Sequence, residues 1–163
     1  NTVGGVSASF ACGSLVLPDQ LIDYSWGREH SYTGSGVFPV RHVEFTMPFC
    51  TRLREQLLRA ARQAAIDLSP GGTYGVTQGP RLETAAEIDR MERDGCGLVG
   101  MTAMPEAGLA RELDLSYAIC CVVVNQAAGR SPTGIGIHAE IAVNLAAGPR
   151  PAERLVRSFL AAG

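Results

Sequence analysis

With 163 residues, 46% of them apolar and 18% charged, the chain can build one domain with a real core and is too short for two comfortable ones. All fourteen basic side chains are arginine, which excludes Schiff-base catalysis and a lysine-bearing phosphate loop, since both need an ammonium group. A net charge of −2 with scattered arginines excludes nucleic acid as a partner, and no uncharged run is long enough to span a bilayer.

In chain order, Asn1-Thr2-Val3-Gly4-Gly5 reads as the loop that follows a buried strand, so a leading strand is expected to be missing before Asn1. Residues 15–17 form a short apolar stretch, Pro18 breaks it, and a second strand follows at 20–23. Residues 26–47 are polar, irregular and glycine-bearing, an excursion of the kind that carries function. Within it, Gly34-Ser35-Gly36 follows no strand and no G-x-G-x-x-G exists, which argues against a dinucleotide fold. Leu53, Leu57, Leu58, Ala61, Ala64, Ala65 and Leu68 recur at helical spacing, predicting an amphipathic helix over 48–68 that ends at Pro70-Gly71-Gly72.

A strand is expected at 73–77, a helix at 83–94 stopped by Gly95, and a short buried strand at 98–101. Pro105 and Glu106 open the next helix, with Thr102 as its N-cap. Residues 116–124 read as a central parallel strand, and closing helices are expected at 137–146 and 151–161. This alternation predicts an α/β layered domain over 1–163, its site at the carboxyl ends of the strands. The five cysteines are odd in number and form no C-x-x-C, so free, mostly buried thiols in a reducing cytoplasm are expected. His30, His42 and His138 are too far apart to give a zinc-protease pair, and no metal site is expected.

Four polar clusters follow the predicted strands: residues 1–5, 77–83, 101–106 and 125–129. Thr102 at a helix start and Thr2 beside two glycines offer hydroxyl and backbone N–H groups to an anion. Glu83 and Asn125 can accept from and donate to the edge of a heterocycle. Ordinary helix caps would explain any one cluster; all four together point to a site that pairs an oxyanion with a hydrogen-bonding base.

The runs Gly79-Pro80-Arg81-Leu82-Glu83-Thr84-Ala85-Ala86-Glu87 and Val99-Gly100-Met101-Thr102-Ala103-Met104-Pro105-Glu106 closely resemble the trimeric purine nucleoside phosphorylase and methylthioadenosine phosphorylase family. Looser matches at residues 1–5, 19–23 and 48–50 agree in order and spacing. The wording is most similar to the bacterial S-methyl-5′-thioinosine phosphorylases. This resemblance implies a layered α/β/α fold with a central mixed sheet, a cytoplasmic homotrimer in purine salvage, and inorganic phosphate as co-substrate with no cofactor. Phosphate then attacks the anomeric carbon and releases free base and pentose 1-phosphate.

Carried over residue by residue, the resemblance gives phosphate to Asn1, Thr2 and Thr102, and the ribose to Met101. It gives the purine to Glu83 and Asn125, with Leu82 standing where an aromatic usually packs on the base. Glu with Asn, rather than with Asp, implies a 6-oxopurine: a carboxylate accepts from N1–H, which neutral adenine lacks. Asn125 also stabilises the charge growing on the leaving base. His138 and Ile141 fall near the 5′ substituent, and His42 matches a histidine contributed by a neighbouring subunit. The implied reaction is S-methyl-5′-thioinosine with phosphate giving hypoxanthine and 5-methylthioribose 1-phosphate. Methylthioadenosine, inosine or guanosine as substrate stays open, as does an inactive nucleoside-binding fragment. The family's glycine-rich phosphate loop and Arg-His pair are expected upstream of Asn1.

Overall fold

The computed structural model describes residues 1–33, 38–132, 134–146 and 150–161, so Gly34-Ser35-Gly36 lies outside the described residues. In chain order the elements are β1 (Thr2–Gly5), β2 (Leu15–Leu17), β3 (Gln20–Asp23), α1 (Thr51–Gln63), β4 (Ser69–Pro70), β5 (Thr73–Val76), α2 (Ala85–Arg93), β6 (Cys96–Gly100), α3 (Glu106–Glu112), β7 (Cys121–Gln126), α4 (Ile137–Ala146) and α5 (Arg150–Ala161). The strands form a seven-stranded sheet in the order β3-β5-β6-β1-β7-β2-β4. It is mixed: β3, β5 and β6 run parallel, β1 turns antiparallel to β6 and parallel to β7, and β2 turns antiparallel again to β7.

The first five residues depart from the sequence expectation. Thr2–Gly5 is the middle strand of the sheet rather than a loop, with Gly4 paired to both Val99 and Asn125. Its glycines are required by close packing: a Cβ on Gly5 would stand 2.4 Å from the Phe10 carbonyl oxygen. The strand expected at 116–124 is displaced to Cys121–Gln126 and lies between one parallel and one antiparallel neighbour. Apolar content alone does not extend it toward residue 116, because the pairing runs out there and Tyr117 instead accepts a hydrogen bond from the Cys50 amide at 2.8 Å.

Side chains alternate between the two faces of the sheet, as strand geometry demands. Val3, Val16, Tyr74, Val76, Leu98, Cys121 and Val123 pack with Ala103 of the loop after β6 and Ala107 in the first turn of α3. Leu15 and Leu17 point the other way, into a cluster with Ala60, Ala61 and Leu155 of α1 and α5, and Val99 meets Ile88 and Met91 of α2. The sheet is therefore covered on both sides.

Helix α1 begins at Thr51 and ends at Gln63, shorter than the periodic pattern, because Ala65 takes φ 50° and the chain turns. Pro105, not Thr102, caps α3, so Thr102 sits in the preceding loop. Helix α2 starts on a capping box in which Thr84 and Glu87 satisfy each other's backbone N–H groups. Of the five thiols, all free, Cys96 and Cys121 are buried, whereas Cys12 is exposed and departs from the buried expectation.

Candidate active site

A cavity of about 260 Å³ opens where the end of β6 meets the start of β1, lined by Asn1, Thr2, Gly4, Leu82, Glu83, Met101, Thr102, Asn125 and Ile141 among others. The expected phosphate, ribose and purine residues thus converge on one space. They do not all come from carboxyl ends of strands, as the sequence suggests. Because β1 is antiparallel to β6, its beginning lies beside the end of β6.

Each wall has a local cause. Asn125 stands one residue before the end of β7, is 8% exposed, and donates from Nδ2 to the Gln126 carbonyl at 2.9 Å. Its side chain lies over β1 because Gly4 has none: a Cβ there would be 3.2 Å from Asn125 Nδ2. Glu83 precedes the Thr84 cap of α2, and its Oε1 accepts a 2.6 Å hydrogen bond from the Thr77 hydroxyl. Helix α4 hangs from β7 by two side chains a turn apart. Glu140 Oε2 accepts from the Gln126 amide at 2.8 Å and Asn144 Nδ2 donates to the Val124 carbonyl at 2.9 Å. That attachment brings Ile141 to the cavity. His138, on the same helix, is exposed and does not line the cavity, and exposed His42 stands outside it as well.

Two positioning groups were hidden in the sequence. Tyr74, fully buried on β5, places its hydroxyl 3.1 Å from Thr102 Oγ1 and accepts from the Thr102 amide at 3.4 Å. Burial pushes the Tyr74 phenol up to about 12, with the hydrogen bonds to Thr102 acting in the opposite direction, so it remains protonated at neutral pH. The signal was Gly100: a Cβ there would be 2.2 Å from Tyr74 Oη, so the phenol occupies the space a side chain would need. Arg28 is the second. It donates from Nη2 to the Thr77 and Gln78 carbonyls, both at 3.0 Å, from Nε to Gln78 Oε1 at 3.2 Å, and from Nη1 to the Met104 carbonyl. One guanidinium thereby ties the loop after β5 to the loop after β6.

A larger groove of about 530 Å³, lined by Thr77 among others, adjoins the site and shares Glu83 with it. Its arginines are already engaged, Arg81 with Glu87 at 2.7 Å and Arg90 with Asp94 at 3.6 Å, so it offers less to an anion than the threonine-lined cavity. Among the described residues no group of three or more His, Cys, Asp and Glu side chains is placed to hold a metal ion. Among them, too, no helix is long and apolar enough to cross a membrane.

A "probable S-methyl-5′-thioinosine phosphorylase" of Xylella fastidiosa is 57% identical over 129 residues, covering 79% of this chain and 52% of that relative. A "6-oxopurine nucleoside phosphorylase" of Pyrococcus furiosus is 38% identical over 167 residues, covering 99% of this chain and 62% of the relative. The chain thus spans about half to two thirds of the length of these relatives. A solved methylthioadenosine phosphorylase from Schistosoma mansoni, in complex with adenine, superposes with a TM-score of 0.90 at 25% identity, over 99% of this chain and 63% of that one. The mixed sheet and flanking helices expected of the fold are shared with that structure. The family model described as the phosphorylase superfamily matches residues 1–161, and to that family the chain belongs.

Proposed function

We propose that the chain carries the nucleoside-binding part of a phosphate-dependent purine nucleoside phosphorylase acting on 6-oxopurines, with S-methyl-5′-thioinosine as preferred substrate. The observation that carries this reading is the meeting of Glu83 and Asn125 with Thr2, Thr102 and Met101 in one cavity. Glu83 Oε2 accepts from purine N1–H while Oε1 stays with Thr77. The second N–H of Asn125 donates to N7 or O6 as negative charge develops there. Thr2 and Thr102 hold phosphate, and Met101 lies along the ribose. Phosphate is itself the nucleophile, so the residues supply positioning and charge stabilisation rather than a general base, and no cofactor is needed.

Ile141 in the cavity and His138 outside it favour a methylthio group over a hydroxyl at the 5′ position. The chain works as a cytoplasmic homotrimer in purine salvage, where a neighbouring subunit brings its own His42 to the site. The free thiols fit that compartment. Phosphorolysis rates on methylthioinosine, methylthioadenosine and inosine test the reading. The methylthioinosine rate is expected to lead, and Asn125→Asp to shift the ratio toward 6-aminopurines. A wild-type preference for methylthioadenosine overturns the 6-oxopurine assignment, and hypoxanthine binding without phosphate-dependent turnover reduces the chain to a binding module.

A further inference from the structure

Thr77 is fixed at every polar atom it has. Its amide donates to the Gly100 carbonyl at 2.8 Å, its carbonyl accepts from Arg28 Nη2 at 3.0 Å, and its hydroxyl donates to Glu83 Oε1 at 2.6 Å. The residue is 8% exposed and follows directly on β5, so its backbone is held by the sheet on one side and by a guanidinium on the other. A hydroxyl has a single proton. The alternative acceptor, the Gly100 carbonyl, lies at 3.3 Å, so the shorter contact to the charged carboxylate takes it. Glu83, by contrast, sits in a loop segment between Leu82 and the Thr84 cap, where rotamer freedom would otherwise let the carboxylate swing between this cavity and the adjoining groove that it also lines.

We propose that Thr77 is the positioning residue for purine selection: its hydroxyl occupies Glu83 Oε1 and thereby presents Oε2 to the N1–H of a 6-oxopurine. The assignment rests on the reading of Glu83 given above. Arg28 extends it, because the same guanidinium that holds the Thr77 carbonyl also holds Met104, two residues beyond Thr102. The purine-reading carboxylate and the phosphate-side loop are thereby set relative to each other by one side chain. A 6-aminopurine presents no N1–H and gains nothing from the oriented Oε2, so loss of the Thr77 hydroxyl falls selectively on 6-oxo substrates.

The test is a double-mutant cycle on the full chain, with Thr77→Val, Glu83→Gln and the pair, reading KM and kcat for methylthioinosine and methylthioadenosine and the Kd for hypoxanthine. Thr77→Val is expected to raise the methylthioinosine KM and the hypoxanthine Kd about tenfold, as loss of a hydrogen bond to a charged group does, with a smaller change in kcat. In the Glu83→Gln background the same change is expected to have almost no effect. Thr77→Ser, which keeps the hydroxyl, restores wild-type selectivity. If Thr77→Val does not fold, Thr77→Ala carries the same cycle. Additive losses, equal losses for both substrates, or a Thr77→Ser variant as impaired as Thr77→Val each overturn the role of Thr77 while leaving that of Glu83 intact. A Glu83→Gln variant that keeps its 6-oxopurine preference removes the functional reading itself, and this inference with it.

Discussion

Tyr74 places a phenol where no solvent reaches it, and its only hydrogen-bonding partner among the described residues is Thr102. A buried hydroxyl without a partner costs folding free energy, so the pair is mutually dependent: Thr102 satisfies Tyr74, and Tyr74 sets the direction of the Thr102 hydroxyl. Tyr74→Phe is therefore expected to leave the fold intact and to raise the KM for phosphate about fivefold, the equivalent of one ordinary hydrogen bond of about 1 kcal/mol. Initial rates at saturating nucleoside and varied phosphate check this, and an unchanged phosphate KM refutes it. Because burial holds the phenol near about 12, the effect should not vary between weakly acidic and weakly alkaline pH.

Residue identity also explains what was legible in advance. Glu83, Asn125 and Thr102 were readable because polar clusters recur after successive predicted strands, Met101 was readable only through the family resemblance, and the cavity gathers all four. Tyr74 and Arg28 were not, since a tyrosine in a strand and an arginine in a polar loop are the commonest of placements. Their meaning lies in partners 28 residues and 76 residues away, respectively.

At the scale of elements, helix α2 follows directly on Glu83, which lines the cavity. Its capping box and the Arg81 pair both converge on Glu87, whose carboxyl is held down to about 2 by the Arg81 guanidinium and then by the Thr84 amide. A carboxylate whose folded pKa lies below its ordinary 4.5 stabilises the fold fully above that value and loses its contribution as pH falls toward about 2. The stability gap between wild type and Glu87→Gln should accordingly be widest near neutrality and close as the medium is acidified through that window. Urea titrations at a series of pH values measure it, and a gap that widens in acid contradicts the assignment. Thr84→Ala removes the other half of the box and should cost about 1 kcal/mol.

Helix α2 is visible in sequence through its stop at Gly95, whereas its start is not at residue 83 as expected but at Ala85, where the Thr84 and Glu87 capping box sets it. Strand β1 was not visible. Gly4 and Gly5 have low strand propensity, and only the crowding by Asn125, Val99 and Phe10 around them explains why a central strand uses glycine. Likewise, residues 116–120 are apolar enough for a strand, yet strand formation needs a neighbour with free backbone groups, and the first pair that β7 makes with β1 is Val122 with Thr2.

For the whole molecule, the closest approach of backbone to the central strand is at Gly5, where a Cβ would meet the Phe10 carbonyl oxygen at 2.4 Å and Gln126 Nε2 at 3.1 Å. The Gln126 amide is a side-chain tip that can give, but the Phe10 carbonyl is backbone and already accepts from Gln126 Nε2 at 3.1 Å. Gly5→Ala should destabilise the protein by about 1–3 kcal/mol, as overpacking does, with the urea m-value unchanged. A neutral substitution would show that the start of the chain yields more readily than its packing implies.

The order of strands in the sheet has a last consequence, in time rather than in space. Strand β1 is made first of the seven but is flanked by β6 and β7, about a hundred residues later in the chain. During synthesis it cannot meet either of its neighbours in this sheet until Cys96–Gly100 and Cys121–Gln126 emerge, and its two glycines give it little apolar surface with which to seek other company. The cavity, built on that same seam, can form only once the late strands have arrived.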